Sequence, residues 1–189
     1  MRRVLLACLV LWTLGVSAQM SVRPYLSLGS KTVFLHDKFD ELDAGSAFQI
    51  GAGCYIPLSD EDYDIYLVPE LSYSSFRYDN HGWIPNAQRF RYEQIHLPVV
   101  ADYRLNFNNL IVLDMGAGPF VSYGLKGSAI NKDDFGRWNA GISFRANVRL
   151  LLFTVGLSYD LGLLDMRPDI DDGKKETLSM IGLSFGLGF

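Results

Sequence analysis

The chain has 189 residues, with 17 Lys and Arg against 21 Asp and Glu, for a formal net charge of −4. That balance supplies no basic stripe to neutralise phosphates, so a nucleic-acid role is excluded. Its only cysteines are Cys8 and Cys54, which rules out a disulfide-stapled scaffold once the leader described next is removed.

The amino terminus reads as an export signal. Arg2 and Arg3 form a short basic region, Val4 to Leu14 an apolar core, and Val16-Ser17-Ala18 supplies small residues for cleavage before Gln19. The apolar run is shorter than the roughly 20 residues needed to span a bilayer as a helix. Leu5-Leu6-Ala7-Cys8 resembles a lipoprotein box but comes too early, because most of the apolar run follows Cys8. Residues 1–18 are therefore expected to be a signal peptide, and 19–189 a single domain of about 171 residues. Cys54 then stands alone on an apolar stripe (Phe48, Ile50, Ala52, Cys54, Ile56) and is expected to act as a small hydrophobe. No segment after the leader is long and apolar enough for a membrane helix, so any spanning structure must be a closed barrel.

Eight segments alternate with the period of a strand. They run near Val22 to Phe34, Ala47 to Leu58, Ile65 to Tyr78, Phe90 to Leu105, Leu110 to Leu125, Trp138 to Leu150, Leu152 to Leu163 and Thr177 to Phe189. Each supplies the roughly 9–11 residues that a tilted transmembrane strand requires. In the fourth, Ile95, Leu97, Val99, Ala101 and Tyr103 oppose Gln94, His96, Asp102 and Arg104. The sixth sets Trp138, Ala140, Ile142, Phe144, Ala146 and Val148 against Asn139, Gly141, Ser143, Arg145, Asn147 and Arg149. In the seventh, Phe153, Val155, Leu157, Tyr159 and Leu161 oppose Thr154, Gly156, Ser158, Asp160 and Gly162. The last alternates most regularly, with Ile181, Leu183, Phe185, Leu187 and Phe189 against Gly182, Ser184, Gly186 and Gly188. Pro69 and Pro119 interrupt good patterns and predict local irregularities, since proline removes a ladder donor.

The links alternate in length. Those at 59–64, 106–109 and around 150–151 are short, whereas 35–46, 79–89, 126–137 and 165–176 are each about a dozen residues. Short periplasmic turns alternating with longer external loops is the asymmetry of outer-membrane barrels. A soluble eight-stranded barrel of the lipocalin kind is the rival, because alternation alone does not say which face is inside. Residue size favours the membrane: the polar face is rich in glycine, serine and asparagine, as a narrow interior requires. Tyr103, Tyr123, Trp138, Phe153 and Phe189 fall near strand ends, where an interfacial girdle belongs.

With those elements in place, the chain resembles the outer-membrane β-barrel domain family, also labelled porin family or PorT-like. The resemblance lies in Gln94-Ile95-His96-Leu97-Pro98-Val99-Val100, in Gly116-Ala117-Gly118-Pro119-Phe120-Val121-Ser122-Tyr123, and in the closing Ile181-Gly182-Leu183-Ser184-Phe185. His96-Leu97 departs from the residues usual before the proline. The resemblance implies an eight-stranded antiparallel up-and-down transmembrane β-barrel, inserted by the barrel assembly machinery through its terminal strand. Phe185, Leu187 and Phe189 match that machinery's usual recognition pattern.

Arg23, Lys31, Glu70, His96, Asp102, Arg104, Asp114, Arg145, Arg149 and Asp160 fall on the inward face. Both signs in a narrow space most simply form an ion-paired plug, since an unpaired buried charge is costly. The sharper reading is a narrow pore lined by the same charges. Catalysis at the external rim would need a positioned histidine and carboxylate. His36-Asp37 and Asp79-Asn80-His81 are the external candidates, but an aspartate-rich loop places such pairs together by chance. Gly51-Ala52-Gly53 and Gly116-Ala117-Gly118 open no helix, so they read as space-making glycines rather than a phosphate cradle. The carboxylates between Asp165 and Glu176 match no calcium loop and read as a solvated surface. Trp83 and Ile84, apolar residues in a polar external link, are candidates either to anchor a partner or to end the girdle.

The sequence thus predicts an integral outer-membrane barrel with a structural or interaction role, without catalysis or cofactor. Expected partners are outer-membrane lipid, the barrel assembly machinery during insertion, and a protein at the surface loops. A narrow channel for ions or small solutes is the first alternative, and a lipid-modifying enzyme the second.

Overall fold

Backbone N–H and C=O groups in hydrocarbon have no water to bond, so strands that cross it must pair on both edges. In the computed structural model they do so through a closed antiparallel barrel of eight strands in sequence order. These are β1 (Arg23–His36), β2 (Gly45–Pro57), β3 (Ile65–Asp79), β4 (Arg89–Phe107), β5 (Ile111–Gly127), β6 (Trp138–Leu150), β7 (Phe153–Gly162) and β8 (Thr177–Gly188). The structure describes residues 22–36, 45–58, 64–79, 89–107, 110–127, 137–164 and 177–188. The expected leader and the bodies of the four long links lie outside them.

All eight expected strands form, with shifted ends. β4 and β5 run on to Phe107 and Gly127, whereas β7 begins one residue late because Leu151 and Leu152 make the turn. Links of seven, three and two residues alternate with links of eight, nine, ten and fourteen. The end bearing the shorter links is taken as periplasmic.

The ring closes with a stagger. Pairing followed from Ile56 through Leu67, Ala101, Ala117, Phe144, Tyr159, Ile181 and Thr32 returns to β2 at Ser46, ten residues from its start. For eight strands that stagger corresponds to a tilt of about 40° and an interior just wide enough for side chains.

Pro69, Pro98 and Pro119 sit on adjoining strands, and the ladder lapses beside each. Between β2 and β3 it skips from Gly53–Glu70 to Ile56–Leu67, and between β4 and β5 from Pro98–Phe120 to Ala101–Ala117. The same register resumes each time, so proline costs pairs without adding a residue. Among the described residues the register shifts elsewhere, between Glu93 and Gln94, where Leu125 is the extra residue of β5.

The two faces differ as a membrane barrel demands. Leu26, Phe48, Leu71, Phe144, Leu157 and Phe185 are exposed on the outside, while Asp102, Asp114 and Asp160 are buried within. A lipocalin-type barrel would reverse that arrangement. Tyr103, Phe107 and Phe153 are exposed toward the short-link end. Near the opposite end Tyr123 and Trp138 are register partners with ring centroids 4.8 Å apart. These positions form the aromatic girdles; Phe189, expected to join them, lies outside the described residues.

Leu151, 74% exposed, holds φ at 56° in the two-residue turn between β6 and β7. That left-handed conformation strains a leucine, and asparagine tolerates it better. Leu151→Asn is expected to stabilise the barrel by about 0.5–1 kcal/mol, measured as a higher urea midpoint in lipid vesicles.

Candidate functional site in the barrel lumen

Alternation sends every second side chain of eight tilted strands into one narrow space, where charges meet partners chosen by register. Toward the short-link end, Arg104 and Asp114 are direct partners across β4 and β5. Arg104 donates from Nε to Asp114 Oδ1 at 2.6 Å, and Arg149 donates from Nη2 to Asp114 Oδ2 at 2.7 Å. One carboxylate thus serves two guanidinium groups. The surplus charge lies against aromatic faces: Arg104 is 3.9 Å from the Tyr66 ring centroid, and Arg149 is 4.8 Å from that of Tyr55. Arg104 Nη1 makes no hydrogen bond.

The middle layer is built around Arg145. Asp102 on β4 pairs with Gly116 on β5, and Gly116 pairs with Arg145 on β6. With no side chain at Gly116, Arg145 reaches over β5 and donates from Nε to Asp102 Oδ1 at 2.8 Å. A Cβ on Gly116 would collide with the Asp102 carboxylate. Arg145 Nη1 also lies 3.9 Å from Glu70 Oε2. Glu70 accepts from Tyr25 at 2.6 Å, Ser27 at 3.1 Å and Gln49 at 3.4 Å. Gly51 beside it likewise leaves room, since a Cβ there would stand 2.7 Å from Glu70 Oε1.

Asp160 organises the next layer with the same device. Lys31 pairs with Gly182, and passes over it to donate from Nζ to Asp160 Oδ2 at 2.8 Å. Ser143 donates to Asp160 Oδ1 at 2.6 Å, and His96 Nε2 lies 3.4 Å from Oδ2 without forming a hydrogen bond. On its other side His96 Nδ1 is 2.7 Å from Ser122 Oγ. Ser122, His96 and Asp160 have the composition of a nucleophile relay. Yet all three are buried, Lys31 already occupies the carboxylate, and Ser122 stands off the internal cavity. The geometry gives a substrate no approach.

Beyond this layer, toward the long-link end, the lumen turns apolar. Ala47, Phe76, Tyr92, Phe120, Leu178 and Met180 are all buried there. Gln94 donates to Met180 Sδ at 3.2 Å, and Asn139 to the Leu178 carbonyl at 3.0 Å. Ser74 Oγ and Gln94 Oε1 are buried without a hydrogen-bond partner where the polar lumen gives way to this plug. Below the plug a cavity of about 60 Å³, bordered by Lys31, Glu70, His96, Arg145 and Asp160, runs alongside the arginine layers to Tyr55 and Thr154. That is room for a few waters.

Of the expected inward charges, Glu70, His96, Asp102, Arg104, Asp114, Arg145, Arg149 and Asp160 join these layers, together with Lys31. Arg23 does not: it has inward parity but begins β1 at the barrel mouth and is exposed. The apolar plug went unforeseen, although Phe76, Phe120 and Met180 fall on inward positions of their strands. Phe185 and Leu187 are exposed on the outer face of β8. Phe189, Trp83, Ile84 and His81 lie outside the described residues, as does the side chain of His36. Among the described residues no cluster of His, Cys, Asp or Glu could hold a metal ion.

Comparison with known proteins agrees with this architecture. The family model for the outer membrane protein beta-barrel domain matches residues 12–167. No curated protein matches the chain. Among solved structures, the outer membrane enzyme PagL superposes with a TM-score of 0.57 at 9% identity, over 86% of this chain and 98% of PagL. Neisserial surface protein A (NspA) gives 0.50 at 12% identity, over 89% of this chain and 97% of its own. Ail of Yersinia pestis gives 0.43 at 13% identity, over 88% and 98%. For PagL and NspA, at such identities, the likeness is one of fold.

Removing one partner of a buried ion pair costs about 3–5 kcal/mol, whereas replacing all partners by apolar groups is often neutral. Asp114→Leu, which strands Arg104 and Arg149, is expected to lose about that amount in urea unfolding. Adding Arg104→Met and Arg149→Met should recover most of it. Equal stability of the single and triple variants would show that the pairing is not the source of the loss.

Proposed function

The chain belongs to the outer membrane protein beta-barrel domain family, and from that premise we propose that it is a non-conducting, non-catalytic barrel that acts through its outer surface and loops. The observation that carries this reading is the filled lumen. Phe76, Leu178 and Met180 are packed across the long-link end, and below them the arginine–aspartate layers leave a cavity of only about 60 Å³. A side-chain-filled interior leaves the lipid-facing wall and the external links as the working surfaces. Export by a cleaved leader at residues 1–18 and insertion through Phe185, Leu187 and Phe189 complete the proposed route to the membrane. Trp83 and Ile84, in the link between β3 and β4, are the proposed contacts for a protein partner. No cofactor enters this reading. PagL is an enzyme, but a shared fold does not transfer chemistry.

Single-channel recording of the purified mature barrel in a planar bilayer tests the proposal. It is expected to be silent. Truncating the plug with Phe76→Ala and Met180→Ala should raise leak, because the layer that seals the external end loses two large, fully buried apolar side chains. Discrete wild-type openings whose conductance shifts with Arg145→Gln or Asp160→Asn would overturn the filled-lumen reading and make this a narrow channel.

A further inference from the structure

The hydrocarbon band is used up before the barrel wall reaches its short-link end. A ladder row climbs toward the long-link end by about 3 Å from each strand to the next, which is the stagger that carries Ile56 round to Ser46. Tyr103 on β4 is the register partner of Met115 on β5, and Tyr123 of the opposite girdle stands eight residues above Met115. At about 3.3 Å per residue and a tilt of about 40°, the two girdles are therefore some 20–25 Å apart along the axis. That matches the roughly 25 Å apolar band of an outer-membrane barrel. Phe153 shares the level of Tyr103, because the row from Tyr103 rises to Leu157, four residues above Phe153.

Beyond that level the outward face stays apolar. Phe107 is four residues farther along β4 than Tyr103, about 10 Å deeper toward the short-link end. Phe107, Ile111 and Leu150 are successive register partners on β4, β5 and β6. Leu110 extends this row in the β4–β5 turn, and Leu151 and Leu152 extend it in the β6–β7 turn. All but Ile111 are at least 50% exposed. The headgroup layer adds only about 5–7 Å outside the hydrocarbon, so lipid tails do not reach Phe107 or Leu110. Leu151 in addition holds a left-handed backbone that leucine disfavours. A contiguous apolar strip outside the hydrocarbon marks an interaction surface.

Its dimensions and place identify the occupant. The strip is about 10 Å tall, the diameter of one helix, and about 15 Å wide from β4 to β7, the length of about ten helical residues. It is continuous above with the lipid-facing wall and open below to water, so whatever covers it lies along the membrane surface. Ile111 and Leu150 are already paired with each other, so the wall there offers side chains rather than a ladder edge. An amphipathic helix satisfies its own backbone, lies in the interface plane and turns an apolar stripe inward. We propose that this strip docks an amphipathic helix of a periplasmic protein, seated in the inner-leaflet headgroup layer against Phe107, Leu110 and Leu151. The proposal rests on the short-link end of the barrel facing the periplasm.

The test uses the full chain in its native outer membrane, with a benzophenone amino acid placed at position 110. Illumination is expected to give a polypeptide adduct, and peptide mapping to place the cross-link in a segment with an amphipathic helical pattern. The same group at position 28, in the middle of the lipid-facing wall, should give lipid adducts only. Phe107→Asn is expected to cut the yield at position 110 about tenfold. Leu151→Asn should cut it too while raising the urea midpoint of the free barrel, a divergence that a purely structural effect would not produce. It also carries the test should Phe107→Asn fold poorly. Adducts at position 110 with lipid alone, with a second copy of this chain, or with a segment lacking the amphipathic pattern overturn the proposal. So does the absence of any adduct, or an undiminished yield in Leu151→Asn. Placement is checked separately with Arg23→Cys in a Cys54→Ser background, using a maleimide too large to cross the outer membrane. Labelling is expected only after permeabilisation, and labelling of intact cells would overturn the periplasmic orientation of this rim.

Discussion

Closure of the backbone ladder is the constraint on which everything else in this molecule depends. A strand edge left unpaired in hydrocarbon forfeits hydrogen bonds that no solvent replaces, so β1 must find β8. It does so along almost its whole length, from Tyr25–Gly188 to His36–Thr177. The ten-residue stagger that accompanies closure sets the width of the interior, and that width dictates which side chains fit. Large groups cannot all point inward in a ring this narrow, which is why Gly51, Gly116 and Gly182 occur where they do. Each leaves the space that a neighbouring charged side chain occupies.

Within the ring, charge is arranged so that each long cation crosses a glycine to reach its carboxylate. Arg145 passes Gly116 to reach Asp102, and Lys31 passes Gly182 to reach Asp160. Buried ion pairs are seldom a large source of stability, because desolvation offsets most of the attraction. Their stronger effect is on specificity. A slip of one register position would send these charges into lipid and bring leucines inside, so the network holds the barrel to a single pairing. The apolar plug of Phe76, Leu178 and Met180 complements it by sealing the end where the described buried side chains carry no charge.

With the interior committed to holding itself together, interaction falls to the outside. Among the described residues the outer wall is apolar through its middle, as the hydrocarbon requires. Toward the long-link end the exposed Leu125, the extra residue of the β5 bulge, and the Tyr123–Trp138 ring pair end that apolar wall.

Strand number, strand order, the inward or outward sense of nearly every position, and membrane residence were legible in the sequence, because period-2 alternation is a local property of the chain. Most lumen charges could be named for the same reason. Arg23 was misassigned because parity reports direction but not depth, and a residue at the mouth faces solvent whatever its parity. Partnerships lay beyond local reading. That Arg145 bonds Asp102 across an intervening strand and that Asp114 serves two arginines follow from register and stagger. Those are properties of the closed ring, decided only when β8 meets β1, since a ladder that closes has one stagger and an open one could slide.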